Sequence, residues 1–261
     1  MSEIIRYFSS LIRRLAGLKP IGFKELMAAR GHFGTRAFHR HGMNFPKAGY
    51  LEFGDKKLAL LNLSSGGVCI QAEAHLFMNL FKAGGRFRAR LTVIGFSRTL
   101  TFSVAYTHAS QVGLRFEDLQ RADQQFLDLS LGFLDYGLIL QSLNKQQVPK
   151  AYQSPNWNSY GLLDHDVVVH LNMNLQGALE ETHVSYANGF RKEMVVFDKH
   201  AIHVVVFPGK KLSVFDKKRI LRNALLIIIG LRQVSDTDRF DRLLASGIVR
   251  LFKKESPKHV A

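Results

Sequence analysis

Two short groups of residues carry side chains suited to one kind of ligand. Arg36-Ala-Phe-His-Arg40 is an R-x-x-x-R, and twenty-two residues after Arg40 stands Asn62, opening Asn62-Leu-Ser-Ser-Gly-Gly67, an N-x-S-x-x-G. A guanidinium is a planar fork of donors that can grip a guanine O6/N7 edge or a phosphate bidentately, or stack on a purine face. Asn62 and Ser64 offer donors and acceptors for a base edge. Gly66 and Gly67 permit a tight turn and let a flat ligand approach the backbone. Together the set fits a ligand bearing both guanine and phosphate. The bland alternative is a pair of surface charges and a turn whose Asn and Ser cap the backbone.

Other chemistry is not signalled. The chain has no G-x-x-x-x-G-K-[ST], no G-x-G-x-x-G, no H-E-x-x-H and no G-x-S-x-G. Pro208-Gly209-Lys210-Lys211 lacks the earlier glycine and the Ser/Thr of a phosphate loop, and reads as a turn with solvated lysines. The eleven histidines are scattered, and Asp164-His165-Asp166 and His200-x-x-His203 lack a third ligand, so no metal is expected. Neither an enzyme nor a cofactor is expected.

The elements that must position the two groups follow from periodicity. From Tyr50 to Phe116 the apolar period is two. Phe87, Ala89, Leu91 and Val93 share one face; Leu100, Phe102, Val104 and Tyr106 follow after a turn marked by Gly95 and Ser97, and then Val112, Leu114 and Phe116. Lys57–Leu63 and Val68–Ile70 flank the Ser64–Gly67 turn. Five or six short strands in this span predict a small antiparallel barrel. A helical period returns over 120–143, with Phe126, Leu129, Phe133, Tyr136 and Leu140 three or four apart.

The ordered pair of motifs on this strand pattern, with Val112-Gly-Leu-Arg-Phe116 after it, resembles the PilZ domain, the bacterial receptor module for cyclic di-GMP, over roughly residues 30–142. The resemblance implies a six-stranded barrel followed by a helix, with no catalytic activity. It implies that Arg36 and Arg40 grip phosphate and guanine from a pre-barrel segment, that Asn62 and Ser64 read guanine edges, and that Gly67 allows the turn. Arg115 stands where some members supply a further arginine. Many members carry Asp where this chain has Asn62; the amide keeps an acceptor oxygen and gives up the charge, so its bond to guanine N–H groups is weaker. Arg30 falls outside the match. The fold class expected is mainly β: a PilZ-like six-stranded antiparallel β-barrel with flanking helices, plus a C-terminal α+β domain.

The rest of the chain divides by composition. Residues 1–29 form an N-terminal extension, 30–143 the PilZ-like domain, 144–156 a Pro-containing linker without period, and 157–261 a C-terminal α+β domain of unknown function. Residues 1–19 place Ile4, Ile5, Phe8, Leu11, Ile12 and Leu15 at helical spacing among arginines, a basic amphipathic helix for a membrane surface, a partner or its own protein. In the second domain 167–171, 183–186, 194–197 and 202–207 read as strands, then 217–231 and 238–252 as helices. Lys217, Lys218, Arg219 and Arg222 form a basic cluster on what reads as a solvated helix face, or as a site for nucleic acid or an acidic partner.

Charge bounds the partners. The 261 residues hold 36 Lys+Arg and 21 Asp+Glu, a net +15. Residues 1–50 carry +7, residues 51–149 only +2 and residues 150–261 +6. One cysteine, Cys69, excludes a disulfide framework and suits a reducing compartment, so the cytoplasm is expected. The longest aliphatic run, 224–230, is too short to span a bilayer. The function expected is that of a cyclic di-GMP effector that changes conformation on binding and regulates a protein partner in motility, biofilm formation or surface attachment. The alternatives are a nucleic-acid-binding regulator working through its basic regions, against which the aromatics stand at core-periodic positions, and a PilZ-fold scaffold that binds no nucleotide.

Overall fold

The computed structural model describes residues 40–43, 48–72, 85–209, 211–233 and 240–252. The expected N-terminal helix, Arg30, Arg36 and Lys210 lie outside these residues.

The first sheet contains β1 (His41–Gly42), β2 (Gly49–Phe53), β3 (Lys56–Ser64), β4 (Gly67–Gln71), β5 (Arg86–Val93), β6 (Phe96–His108) and β7 (Gln111–Glu117). The order β3-β2-β5-β6-β7-β4 closes on itself because β3 also pairs with β4, giving a six-stranded antiparallel barrel; β1 adds to β3 outside the ring. Alternation makes the core. In β5, Ala89, Leu91 and Val93 are buried, while Arg86, Arg88 and Arg90 are exposed. Phe102 stacks at 5.8 Å on Phe87 and lies 5.5 Å from Phe116. The β5–β6 turn is Ile94-Gly95, with φ of 44° and 76°, and Ser97 already belongs to β6. A two-residue hairpin loop with both φ positive matches the right-handed strand twist.

Helix α1 (Arg121–Ile139) follows the barrel. Its most buried stripe is Leu127, Leu131, Leu134 and Leu138, not the Phe126–Leu140 series, and Leu129 is 59% exposed. Phe126, Phe133 and Tyr136 pack only partly against the core. Both series have helical spacing, so only the neighbouring elements decide which is covered.

The second sheet is an antiparallel meander of β8 (Gln141–Ser142), β9 (Trp157–Leu162), β10 (Val167–Met173), β11 (Leu179–Asn188), β12 (Arg191–Phe197) and β13 (Ile202–Phe207). Helices α2 (Val214–Arg232) and α3 (Asp241–Phe252) complete the described chain. The polar stretch 144–156 contains two 3-10 turns, Lys145–Gln147 and Lys150–Tyr152. The Tyr152 ring stacks on His170 at 3.6 Å, and its hydroxyl is 2.8 Å from His183 Nδ1.

Helix α2 is buried on nearly every side from Ile220 to Leu231 because α1 covers one flank and the second sheet another. The two helices meet backbone to backbone. A Cβ at Gly137 would collide with the Ile227 carbonyl, and one at Gly230 with the Leu134 carbonyl. The expected basic cluster is divided by this packing. Arg219 forms a fork on Glu193, with N···O distances of 2.6 and 3.1 Å. Arg222 is 5% exposed; it donates to the Val93 carbonyl and to Ser130 Oγ, and its guanidinium lies 4.8 Å from the Phe96 ring. Burial pulls the Arg222 pKa down to about 10. These two arginines pin α2 to the sheet and the barrel, and of the four only Lys217 is fully exposed.

Candidate functional site

The barrel register assembles two rows of residues on its outer surface. Ser64 pairs with Gly67, Gly67 with Arg115 and Arg115 with Ser103. One step along, Asn62 pairs with Cys69, Cys69 with Gly113 and Gly113 with Tyr106. Because side chains on a strand alternate faces, residues two apart share one, and the inward neighbours Leu63, Val68 and Leu114 are buried core. Strand β1 pairs His41 with Leu63 and Gly42 with Asn62, so Arg40, one residue earlier, enters beside Ser64.

These rows line a cavity of about 320 Å³ whose walls include Arg40, Asn62, Ser64, Gly67, Tyr106 and Arg115. Five of the six residues expected from sequence therefore meet in one place, and Arg36 lies outside the described residues. Arg40 and Arg115 are exposed. Among the described residues no carboxylate forms an ion pair with either guanidinium. Ser64 is buried and its hydroxyl donates to the Gly67 carbonyl at 3.1 Å, which leaves its lone pairs to accept from a ligand.

Gly67 is required by space, not by a left-handed conformation. A Cβ there would collide with the Leu114 carbonyl oxygen of β7, and Gly67 is not among the residues with positive φ. Gly113 is occupied in the same sense, because a Cβ would strike the Tyr106 ring. The Tyr106 hydroxyl donates toward Cys69 Sγ at 3.6 Å. Burial, then the bond to Cys69, push the Tyr106 pKa up, and Arg40 acts in the opposite direction. The wall built by Tyr106, Cys69 and Gly113 was not expected from sequence. Its signal is the cross-strand register to Asn62, which no linear motif contains.

The PilZ domain family model matches residues 35–131. The chain carries a PilZ domain. Its match begins before Arg36 and ends within α1, so it takes in the barrel, the cavity and both arginines of the R-x-x-x-R. The second sheet with α2 and α3 lies beyond the PilZ match. No curated protein matches the chain. Among solved structures, the crystal structure of a Legionella uncharacterized protein, Lpg0364, is similar at 14% identity over 37% of this chain and 92% of its own, with a TM-score of 0.29. That likeness is too slight to bear on the site. Among the described residues, no group of three His, Cys, Asp or Glu side chains could hold a metal ion.

Proposed function

We propose that this protein is a non-enzymatic, cytoplasmic cyclic di-GMP effector. The observation that supports the reading best is the convergence of Arg40 and Arg115 with Asn62 and Ser64 around one cavity on the PilZ barrel. Two guanidinium groups that form no ion pair among the described residues suit the two phosphates and the guanine O6/N7 edge of the dinucleotide. Ser64, with its proton committed to Gly67, accepts from guanine N–H groups, and the Asn62 amide meets the base edge beside it. Gly67 keeps the floor low enough for a base to approach. Arg36 completes the clamp from the segment before β1.

The ligand acts through the segment that carries the two arginines, and it favours one conformation only by its differential affinity for it. Strand β1, immediately after Arg40, touches both helices that link the barrel to the second sheet. His41 Nε2 is 2.6 Å from Asp135 Oδ1 in α1, and the Gly42 N–H donates to Gln233 Oε1, just beyond α2, at 3.1 Å. Occupancy of the cavity is thereby read by residues 157–261, which form the output domain beyond the 144–156 segment and contact a protein partner in a motility or surface-attachment process. Titration of the full chain with cyclic di-GMP, beside Arg36→Ala and Arg40→Ala, tests this reading.

A further inference from the structure

Part of the positive charge of the last third of the chain stands at one end of the second sheet, together with exposed aromatic rings. The β11–β12 hairpin pairs Asn188 with Arg191 and carries Phe190 at its tip, 77% exposed. Two residues on, Lys192 pairs with Phe207, the last residue of β13, 52% exposed. The next residue, Glu193, is held by Arg219 of α2, one helical turn beyond Phe215, which is 66% exposed. The three phenylalanines therefore stand at the same end of the sheet, Phe207 with Lys192 on the face away from α2, and Phe215 at the start of α2 with its ring 6.1 Å from that of Phe96. Three large exposed aromatics concentrated in this way mark an interaction surface, whereas single exposed apolar residues do not.

Cations flank the rings. Arg191, Lys192, Lys211 and Lys217 are exposed, and among the described residues none takes part in an ion pair. The nearby acids are already engaged. Glu193 is 2% exposed and bound by Arg219 and Asn188, and Asp216 accepts from the capping Ser213 hydroxyl at 2.7 Å. The exposed Asp164 and Asp166 occupy the β9–β10 turn at the same end of the sheet, on the side of the hairpin away from β13. Glu180, Glu181 and Asp198 belong to the opposite end of the sheet. Arg191, Lys192, Lys211 and Lys217 thus lie toward β13 and the start of α2 at this end of the sheet, away from the two carboxylates of the β9–β10 turn.

We propose that this end docks on an anionic lipid surface, with Phe190, Phe207 and Phe215 entering the headgroup–acyl boundary and Arg191, Lys192, Lys211 and Lys217 meeting lipid phosphates. Apolar rings ringed by flexible cations are what an interfacial anchor needs: burial of ring area holds the protein, and the charge draws it to anionic bilayers. A nucleic acid would use the same cations, but it would require the rings to lie as stacking faces along a groove, whereas here they project from a hairpin tip, a strand end and a helix start. The surface shares no residue with the barrel cavity.

Co-sedimentation of the full chain with phosphatidylserine-containing and pure phosphatidylcholine vesicles tests the proposal. Wild type should bind the anionic vesicles about tenfold more tightly than the neutral ones, and the difference should shrink with salt. Phe190→Ser with Phe207→Ser, which leaves net charge unchanged, should lower binding to anionic vesicles by about tenfold, with an unaltered thermal melt. Phe190→Trp should be quenched by bromine-labelled acyl chains in anionic vesicles. Equal binding by wild type and the double variant, absence of quenching, or binding to oligonucleotides without binding to vesicles would each overturn it.

Discussion

His41 places Nε2 2.6 Å from Asp135 Oδ1, and His41 is 1% exposed. The residue after the second arginine of the ligand motif is therefore bonded to the helix that packs on α2. Asp135→Asn weakens this buried contact and should destabilise the protein by about 1–3 kcal/mol. Because Arg40 precedes the anchored residue, the segment should spend less time in its binding position. Apparent affinity for cyclic di-GMP should fall by about three- to tenfold, in proportion to the lost population. Affinity equal to wild type, measured by calorimetry on folded protein, would show that the anchor does not position Arg40.

Gly67→Ala should be among the costliest substitutions at the cavity. The added methyl meets backbone, the Leu114 carbonyl oxygen, so no side chain can move aside to accept it. Overpacking of this kind costs about 1–3 kcal/mol, and β4 must shift from β7, carrying Ser64 away from Arg115. Urea denaturation should show the lowered midpoint, and binding should be lost under conditions where the variant is still folded. A variant as stable as wild type would mean that β4 and β7 tolerate separation.

The second sheet makes a separate prediction about pH. Burial, then the nearby His183 and Lys192, lower the His170 pKa to about 4, and its Nδ1 lies 2.7 Å from Ser159 Oγ. The unfolded chain protonates this ring below about 6.5 and the folded chain only near 4, so unfolding takes up a proton between those values. Stability should fall as pH drops through that window, by about 3 kcal/mol at its lower end. His170→Phe keeps a ring against Tyr152 and removes the proton, and should flatten that part of the profile. Identical slopes in urea midpoints between pH 7 and 4.5 would exclude His170 as the source.

The strands were legible where one face is wet. Arg86 to Val93 alternates because its arginines face solvent and its apolar residues face the barrel interior. β9 escaped because Asn158, Ser159 and Gly161 interrupt any apolar run, and its pairing with β10 is what makes it a strand. On α1 two apolar series share the helical period, and the contact with α2 through Gly137 and Gly230 selects between them. Arg219 and Arg222 looked like surface charge because their partners, Glu193 and Val93, are 26 and 129 residues away in sequence. In the cavity, Arg40, Asn62, Ser64 and Gly67 could be named from the two motifs, and Arg115 from the family resemblance. Tyr106 and Gly113 could not, since the β-bulge between Val104 and Tyr106 sets which residue of β6 faces Asn62.

The central claim is that the cavity beside Arg40 holds cyclic di-GMP. Isothermal titration of the full chain with the dinucleotide tests it most directly, with Arg40→Ala and Arg115→Ala measured under the same conditions. Saturable heat from wild type is predicted, abolished in Arg40→Ala and weakened by about ten- to a hundredfold in Arg115→Ala, as expected for loss of a charge-assisted bond. Well-folded wild-type protein that gives no heat of binding, or an Arg40→Ala variant that binds as wild type does, would contradict it.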